Sequence, residues 1–470
     1  MKIVLIHYHL KTGGVTTVLK QQVAAIMDMC DVLLITGAAP ASTFPCDIAV
    51  IPGLGYDTTG IKEAQPVDVA ASIIDAIDRK WKDGCDLIHV HNPTLKKNKH
   101  LIAILNILKE RQNRLFLQIH DFAEDGRPLS YYSDDEYVAD CHYGVINSRD
   151  YQVLLRSGLK KEGLHDIPNA VNPVPTPATD EPSKSQVLYP VRAIRRKNIG
   201  EAILLSLFFK QGETLAVTLP PNSPADMESY DGWKVFANDK RLNVMFDAGL
   251  KHDYTELLRS SKFLITTSIT EGFGFSFLEP WAARKLLVGR KLPDICGDFK
   301  QKGIKLDHLY KQLAVPIEWL GKNNVFHEWQ AGVKRAARLF NVAIDRDTLL
   351  YAFEKITRHQ CIDFGFLDEA FQKRVISRVL SDQTDRDSLV RLNPYLLKLG
   401  NVPDPEELIK HNLAVILKYY HPSAYKDRLM DIYKKVVTCS VSHSIDKQKL
   451  LFQFFKPETM RMLNWGEYSE

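Results

Sequence analysis

Two glutamates, Glu271 and Glu279, stand eight residues apart in the stretch TEGFGFSFLEP. Gly272 and Gly274 lie between them, and each glycine would weaken a helix interior by about 1 kcal/mol relative to alanine. The stretch is therefore predicted to be a loop that leads into a helix, with Glu271 in the loop and Glu279 about one turn into the helix. Carboxylates placed in this way can accept hydrogen bonds from two separate groups of hydroxyls.

The helix is predicted to begin near Phe275 or Ser276, directly after Gly274. Backbone N–H groups at a helix start have no partner within the helix, and together with the helix dipole they attract anions. A diphosphate between two polyhydroxy groups, as in a nucleotide sugar, fits this arrangement. The alternative is that both glutamates are surface acids beside a glycine turn.

A second candidate site follows the predicted strand VLYPV, in the stretch VRAIRRKN. Arg192 and Lys197 flank a loop that leads into a predicted helix. An arginine can bind a phosphate through two N–H groups and a lysine adds a point charge, so the pair would make a clamp for a diphosphate. Arg195 and Arg196 add positive charge to the loop. The alternative is a solvated run of charge without a ligand.

In the first half of the chain, Gly13 and Gly14 follow a predicted strand and precede a predicted helix. Glycines let the backbone approach a ligand closely, although a tight turn without a ligand explains them equally well. His120 closes the predicted strand LFLQIH, at the edge where ligands of α/β proteins bind, and Asp121 follows it. His91 ends another strand. For both histidines the alternative is a side chain that bonds only to the backbone.

Short apolar runs without strict alternation recur through the first 300 or so residues, and buried parallel strands have this pattern. In the first half they alternate with predicted helices near 15–28, 68–82, 97–112 and 148–157. A proline-rich segment, NAVNPVPTPATDEPSKSQ, then interrupts the pattern, which restarts at VLYPV. Strands and helices in series indicate doubly wound sheets, so we expect two Rossmann-like α/β domains facing across a cleft.

From about residue 300 the strand signal fades, and helical patterns dominate near 328–342, 366–381, 405–419 and 422–437. The predicted organisation has five parts: an N-terminal domain at 1–172, a linker at 173–186, a second α/β domain at 187–300, a helical insertion at 301–403, and closing helices with the tail at 404–470.

The composition is that of an ordinary globular protein. Of 470 residues, 45% are hydrophobic and 25% charged, and a net charge of +4 does not require nucleic acid as a partner. The seven cysteines are scattered without metal-ligand spacing, and no apolar run reaches about 18 residues, so we expect a soluble, cytoplasmic protein. The stretch 95–114 has a basic start and an apolar stripe; packing against the sheet fits it better than lying on a membrane surface.

Together these residues resemble the retaining, family-four-type glycosyltransferases with the GT-B double-Rossmann fold. The resemblance is carried by the Gly13–Gly14 turn, His120–Asp121, the stretch IPNAVNP before the linker, Arg192 five residues before Lys197, and Glu271 eight residues before Glu279. The spacing of the two acids is the most specific of these features. The resemblance covers about 1–290 and about 404–437, and it leaves 300–400 unexplained.

The resemblance implies transfer of a sugar from a nucleotide-diphosphate sugar, with retention and without a metal or other cofactor. In the implied catalytic set, His120 lies beside the transferred sugar, Glu271 bonds its hydroxyls, and the leaving diphosphate is neutralised by Arg192 and Lys197. The implied donor-binding residues are Gly13, Gly14, Gly274, Phe275, Ser276 and Glu279, the last on the ribose. The implied partners are a UDP-, GDP- or ADP-sugar and a small-molecule or glycan acceptor.

Three features depart from the family pattern. Asn198 stands where the family usually has glycine. Pro280 directly follows the second acid, and Arg284 takes the position of another family glycine. Arg290 is expected in a loop, where it would add positive charge for binding, for example to a phosphorylated or carboxylated acceptor. The block 301–403 is expected to serve either the acceptor side or an assembly surface.

Other functions stay open beside this resemblance. A sugar-nucleotide epimerase or phosphorylase has the same architecture, although no pyridoxal lysine can be located for a phosphorylase. A non-catalytic sugar-nucleotide-binding scaffold would use the helical block for partners, but the chain retains every acid and base named above. An NAD-linked oxidoreductase is disfavoured because the dinucleotide fingerprint lacks its third glycine.

Overall fold

The computed structural model describes residues 1–11, 13–40, 43–57, 64–173 and 185–465. Most of the predicted linker, 173–186, lies outside the described residues. The chain divides into two compact units. Unit 1 comprises Met1–Ala170 and Lys418–Phe455, and unit 2 comprises Val171–Leu417 and Lys456–Glu470.

In the described part of the chain, unit 1 is built on a seven-stranded parallel sheet with the order β3-β2-β1-β4-β5-β6-β7. The strands are β1 (Lys2–His7), β2 (Asp31–Thr36), β3 (Asp47–Val50), β4 (Leu87–His91), β5 (Leu115–Ile119), β6 (His142–Val145) and β7 (Leu164–Asp166). The helices between them are α1 (Gly14–Ile26), α2 (Pro66–Lys80), α3 (Leu101–Glu110) and α4 (Ser148–Arg156). Because β1 lies between β2 and β4, the winding direction reverses there, as in a doubly wound sheet.

Both faces of this sheet are covered by apolar side chains. Ile3 and Leu5 belong to a core on one face that includes residues of α1, whereas Val4 and Ile6 belong to a core on the other face that includes residues of α2 and α3. A strand that is buried on both faces needs an apolar residue at nearly every position. This requirement explains why the strands could be predicted as unbroken apolar runs.

The apolar stripe of α3 is buried in unit 1. Ile104, Leu105 and Leu108 have no exposed surface and belong to the core that covers the sheet. The stretch 95–114 thus packs its stripe inside the protein, as the sequence favours. In the described residues, no helix combines the length and the apolar character needed to cross a membrane.

Unit 2 contains, among the described residues, a five-stranded parallel sheet with the order β10-β9-β8-β11-β12. The strands are β8 (Gln186–Arg192), β9 (Thr214–Leu219), β10 (Val244–Met245), β11 (Ser261–Thr266) and β12 (Leu287–Gly289). The helices are α5 (Ile199–Ser206), α6 (Pro224–Asp239), α7 (Ala248–Lys251), α8 (Tyr254–Ser260), α9 (Glu279–Ala282) and α10 (Pro293–Gln301). The central strand β8 lies beside both β9 and β11, which again is the doubly wound arrangement.

After α10 the chain is mainly helical, as predicted, but it also forms a short antiparallel pair of strands, β13 (Ala314–Pro316) and β14 (Cys361–Asp363). The helices are α11 (Lys322–Leu339), α12 (Arg346–Ile356), α13 (Glu369–Ser381), α14 (Gln383–Leu392) and α15 (Pro405–Tyr419). The block 301–403 belongs to unit 2. It therefore belongs to the same compact unit as the predicted nucleotide-sugar domain.

The predicted closing block, 404–470, is divided between the units. Helices α16 (Pro422–Thr438) and α17 (Lys447–Phe454) belong to unit 1, whereas α18 (Met462–Trp465) belongs to unit 2. In α16, the Tyr425 hydroxyl accepts a hydrogen bond from Gln22 at 2.6 Å, and the Tyr433 hydroxyl lies 2.9 Å from Nδ1 of His89. Helical periodicity predicted α16 but could not indicate which unit it would contact.

Two departures from the family's glycines have a backbone explanation. Asn198 and Arg284 both have a φ of 54°, in the left-handed region that glycine enters without strain. After α9, the N–H of Arg284 donates to the carbonyl of Trp281 at 3.0 Å, and the N–H of Lys285 donates to that of Pro280 at 2.8 Å. This is a Schellman motif, whose left-handed residue is usually glycine. Both positions therefore keep a glycine-like backbone without the glycine.

Replacing Arg284 by glycine is expected to stabilise the protein by about 1 kcal/mol, because glycine removes the steric cost of a side chain in the left-handed conformation. Arg284 is exposed, so the change removes no buried contact. Arg284→Ala is the matched control: it removes the long side chain but keeps Cβ, and it should change the free energy of unfolding by less than about 0.5 kcal/mol. Urea denaturation measures both. A glycine variant no more stable than the alanine variant contradicts the expected strain.

Candidate active site

Lys197 and Glu271 form an ion pair at the carboxyl edge of the unit 2 sheet. Lys197 ends a 3₁₀ turn, Arg195–Lys197, that follows β8, and Glu271 follows the neighbouring strand β11. Parallel strands bring their carboxyl ends to one edge, which is how residues 74 positions apart meet. The distance from Nζ to Oε1 is 2.5 Å, and the side chains are only 14% and 8% exposed.

Two further groups lie against the Glu271 carboxylate. The Nη1 atom of Arg196 lies 3.5 Å from Oε2 and donates a hydrogen bond to the carbonyl of Thr270 at 3.1 Å. The Ser276 hydroxyl lies 3.5 Å from Oε1. The structure thus brings two other predicted site residues, Lys197 and Ser276, against the carboxylate of Glu271.

The charges of this pair influence each other. Burial alone would raise the pKa of the Glu271 carboxyl, but Lys197 and Arg196 together outweigh burial, so this pKa is below its ordinary value. Burial lowers the pKa of the Lys197 ammonium, and Glu271 offsets only part of that effect. Glu271 is therefore ionised at neutral pH, and Lys197 loses its proton at a lower pH than an exposed lysine does.

The other arginines of this edge differ in their partners. The guanidinium of Arg195 donates to both oxygens of Glu369, at 2.8 and 3.0 Å, so its charge is neutralised. Arg192 donates to the carbonyl of Pro220 at 3.1 Å and forms no ion pair with any residue in the described ranges. The positive charge that could meet a ligand at this edge therefore comes from Arg192, Arg196 and Lys197.

The stretch between the two glutamates folds differently from the expectation. Phe275–Phe277 form a single 3₁₀ turn, and the α-helix begins only at Glu279. The turn requires glycine at Gly274, which has a φ of 91° and where a Cβ would lie 2.7 Å from the side chain of Ile295. A continuous helix from Phe275 is therefore a wrong prediction. No such helix places its dipole behind the N–H groups of Phe275 and Ser276.

The two acids nevertheless occupy different elements, as predicted. Glu271 is buried beside its cationic partners, before the 3₁₀ turn. Glu279 is the first residue of α9 and does not lie one turn inside a helix; the residue has exposed surface, but burial raises the pKa of its carboxyl. The glycine-containing turn is what separates the two carboxylates.

The expectation that Arg290 adds positive charge for a ligand is wrong. Its side chain has no exposed surface, and its guanidinium donates to both oxygens of Glu201, at 2.8 and 2.7 Å, and to both oxygens of Asp363, at 2.8 and 2.7 Å. The Tyr310 hydroxyl also donates to Glu201 at 2.6 Å, and Arg461 lies 3.4 Å from Asp363. Two carboxylates neutralise Arg290 inside the protein, so it does not add charge for a ligand. Its partners are 89 and 73 residues away, beyond the reach of local sequence patterns.

In unit 1, His91 and His120 lie at the carboxyl ends of the neighbouring strands β4 and β5. Their rings stack with centroids 5.2 Å apart, and Nδ1 of His91 lies 2.9 Å from Nε2 of His120. Asn92 was not predicted as a site residue. Its Oδ1 accepts hydrogen bonds from the N–H groups of His120 at 2.7 Å and Asp121 at 3.2 Å, and it thereby fixes the turn after β5. The Asn92–Pro93 dipeptide, a turn signal, was the available indication.

The histidines of this edge are neutral at physiological pH. Burial lowers the pKa of His120 to about 4 and that of His7 and His89 to about 3, and it holds the pKa of His91 well below its ordinary value. Nε2 of His91 is buried without a hydrogen-bond partner among the described residues. The tautomer in which His91 Nδ1–H donates to His120 is favoured, because it leaves an acceptor and not a donor unpaired. His120 then carries its proton on Nδ1.

Gly13 and Gly14 lie at the start of α1, with Gly14 as its first residue. Gly13 has a φ of 178°, an extended conformation that any residue adopts. Among the described residues, a Cβ at Gly13 would meet no atom closer than 3.9 Å, and a Cβ at Gly14 would meet none within 4 Å. Neither strain nor packing within the described chain explains the two glycines, and their role beside a ligand stays a prediction.

The described residues contain no group of three or more His, Cys, Asp or Glu side chains placed to hold a metal ion. Whether the activity needs a metal ion is a separate question, and the expectation that it needs none stays a prediction. All seven cysteines are free thiols. Their scattered spacing in the sequence indicated no disulfide or metal-binding pair.

Solved structures similar to this chain share one fold. Sucrose-phosphate synthase from Thermosynechococcus elongatus is 14% identical with a TM-score of 0.52, covering 92% of this chain and 98% of that one. HepE from Anabaena, solved with UDP-glucose, is 11% identical with a TM-score of 0.53 at the same coverage. TarM from S. aureus, solved with UDP and other ligands, is 10% identical with a TM-score of 0.54, covering 92% and 99%. The fold of this chain is therefore GT-B, as predicted.

No protein-family model matches the chain. A curated relative, mannosylglucosyl-3-phosphoglycerate synthase from Petrotoga mobilis, is 24% identical and covers 98% of each chain. Together with the fold, this likeness agrees with the resemblance that the motifs carry: the chain has the GT-B fold, and the relative and the solved structures that it is similar to are glycosyltransferases.

Replacing Arg290 by alanine is expected to cost about 3–5 kcal/mol of stability, because Glu201 and Asp363 would lose the cation that pairs them. Lys300→Ala is the control. Its ion pair with Asp307, at 2.8 Å, joins two exposed side chains, 49% and 76% exposed, so its loss should cost less than about 1 kcal/mol. Chemical denaturation measures both changes. A stably folded Arg290→Ala protein that has lost acceptor binding would instead restore Arg290 as a ligand-binding residue.

Proposed function

We propose that the protein transfers a sugar from a nucleotide-diphosphate sugar to an acceptor, with retention of the anomeric configuration. The observation that carries this proposal is the group of fixed cations at the carboxyl edge of the unit 2 sheet, where Lys197 and Arg196 hold Glu271 and Arg192 ends β8. Ligands of open parallel sheets bind at this edge. A diphosphate is the anion that such a set of ammonium and guanidinium groups fits.

The proposed role of these cations is to stabilise the leaving group. Glycosyl transfer breaks the bond between the sugar and the diphosphate, so negative charge develops on the diphosphate oxygen. Cations that protein contacts already hold in place stabilise this charge without further reorganisation. Because Arg192, Arg196 and Lys197 can supply this charge, we propose that no metal ion is required, and we expect full activity in the presence of EDTA.

The acids and the unit 1 histidine take binding roles in this proposal. Glu271, kept ionised by its cations, accepts hydrogen bonds from the hydroxyls of the transferred sugar, and the exposed Glu279 accepts from the ribose. His120 is neutral and can donate one hydrogen bond from Nδ1 to a sugar hydroxyl. Gly13 and Gly14 let a ligand approach the backbone at the start of α1, which is supported by the absence of another reason for glycine among the described residues.

For the acceptor, we propose a small molecule that carries a phosphate and a carboxylate, the class named by the relative from Petrotoga mobilis. The basic stretch LKKNKH supports this proposal, because it follows β4 at the edge where His120 ends β5. In this stretch, Nζ of Lys97 lies 5.9 Å from the ring centre of Tyr56, which in turn lies 4.8 Å from that of His9. Positive charge at this edge favours an anionic acceptor.

We also propose a cytoplasmic location. It is supported by seven cysteines that form no disulfide in the structure. Paired cysteines are typical of oxidising compartments, whereas scattered thiols are typical of reducing ones.

The proposal is tested by thermal unfolding in the presence of UDP, GDP, ADP and dTDP, followed by product analysis with the matching nucleotide sugar. One nucleotide at about 100 times its Kd should stabilise the protein by about 2.7 kcal/mol. A glycoside that forms only when a phosphoglycerate-type acceptor is present supports the transferase. An altered donor formed without acceptor would identify an epimerase or phosphorylase. Stabilisation by none of the four nucleotides overturns the proposal.

Lys197→Ala is expected to weaken binding of the nucleoside diphosphate at least tenfold, because charge-assisted hydrogen bonds contribute about 1.5–3 kcal/mol. Wild-type binding should weaken with rising pH, starting below the range in which an exposed lysine titrates. The reason is that burial lowers the pKa of Lys197 and only its charged form attracts phosphate. Calorimetric titration between about pH 7 and about pH 10 measures this loss.

The matched control is Lys262→Ala. Lys262 lies near the start of β11, away from the carboxyl edge, and forms an ion pair with Glu213 at 2.5 Å. The affinity and pH profile of this variant should equal those of the wild type. The Lys197→Ala protein should bind the nucleotide weakly at about pH 7 and should lose no further affinity as the pH rises. The same alkaline loss in both variants would contradict the assignment of this titration to Lys197.

A further inference from the structure

One helix of the 301–403 block holds both ends of the loop that carries the proposed phosphate-binding cations. The loop Arg195–Asn198, here called the cationic loop, lies between β8 and α5. Glu369, the first residue of α13, binds Arg195, and Gln372, one turn later, donates to Oδ1 of Asn198 at 2.8 Å. Arg196 and Lys197 lie between these two attachment points.

The attachment at Arg195 is rigid. Its guanidinium makes two parallel hydrogen bonds to Glu369, at 2.8 and 3.0 Å, and the Ser229 hydroxyl donates to the same carboxylate at 2.8 Å. The backbone N–H of Arg195 donates to Asp226 at 2.9 Å. Side chain and backbone are therefore fixed together, and the carboxylate that fixes the side chain belongs to α13.

The attachment at Asn198 is buried and closely packed. Gln372 is 1% exposed, and Asn198 donates in turn to Glu201 at 2.8 Å. At Gly200, the second residue of α5, a Cβ would lie 2.2 Å from Oε1 of Gln372 and 2.4 Å from the ring of Trp233. The start of α5 therefore approaches α13 as closely as only glycine permits.

The cationic loop needs such support. Three consecutive residues, Arg195, Arg196 and Lys197, carry like charges that repel each other, and Asn198 has the left-handed φ of 54°. Without contacts from outside, the loop would sample other conformations. Groups that stabilise a developing charge act best when their positions are fixed in advance.

We infer that α13 is a positioning element of the active site, and that Glu369 and Gln372 hold Arg196 and Lys197 in the geometry that binds the donor diphosphate. This inference rests on the proposed function of those cations and assigns a role to the block 301–403, which the family resemblance leaves unexplained. Glu369 and Gln372 are positioning residues, since they act through the loop.

The experiment measures binding of the nucleoside diphosphate that stabilises the wild type, by calorimetry, for Glu369→Gln and Gln372→Leu. We expect each to weaken binding at least fivefold and to raise the donor KM while leaving the acceptor KM unchanged. A general loss of structure would alter both constants and the melting temperature. Ser229→Ala, which removes a single hydrogen bond to Glu369, should give a smaller loss in a protein that keeps the wild-type melting temperature.

Glu406→Gln is the matched control, because it makes the same chemical change in the first turn of another helix, α15, where the side chain is exposed. It should bind the nucleotide as the wild type does. Wild-type affinity in both Glu369→Gln and Gln372→Leu overturns the inference. Equal weakening in the Glu406→Gln protein also overturns it, since the effect would then not depend on the loop.

A double-variant cycle separates this inference from the proposed function. If α13 acts through the loop, the Lys197→Ala, Glu369→Gln double variant should bind better than the product of the two single losses predicts. Losses that multiply in full overturn the role of Glu369 while leaving the clamp intact. Unchanged binding in Lys197→Ala alone overturns the proposed clamp, and the inference with it.

Discussion

A guanidinium without exposed surface must be fully paired, and distant segments of unit 2 meet to pair the guanidinium of Arg290. Arg290 follows β12, and its partners Glu201 and Asp363 come from α5 and β14, with Arg461 joining from the segment after α17. Removing either kind of charge would leave the other in a low-dielectric interior, at a cost of several kcal/mol. This single network connects four parts of the chain that are far apart in sequence, and it makes the 301–403 block an integral part of unit 2.

The same requirement separates structural charges from those that can meet a ligand. Arg195 and Arg290 each have carboxylates on their N–H pairs, so their positive charge is already neutralised. Arg196 and Lys197 share the one carboxylate of Glu271, and Arg192 pairs with no acid among the described residues. Cations that are fixed in place but incompletely neutralised, at the carboxyl edge of a parallel sheet, are suited to an anionic ligand. The partners of each charge, and not the number of charges, indicate the candidate site.

The candidate site residues of unit 1 are uncharged hydrogen-bonding groups. Burial keeps His91 and His120 uncharged, and Asn92 fixes the turn that carries His120. A neutral imidazole donates one hydrogen bond and accepts one, which suits hydroxyl groups, whereas the cations of unit 2 suit phosphate.

The sequence by itself determined most strands of the two sheets, though not β7 or β12, together with the doubly wound pattern and the separation of Glu271 from Glu279, because apolar burial and glycine turns are recorded in neighbouring residues. Only the tertiary structure decided that the helix starts at Glu279 and not near Phe275, that Arg290 is neutralised, that 301–403 packs in unit 2, and that the closing block is divided. The physical reason is the range of the interactions. Periodicity and turn preferences act over a few residues, whereas the ion pairs that fix the roles of Arg290 and Arg195 join positions 73 and 174 residues apart.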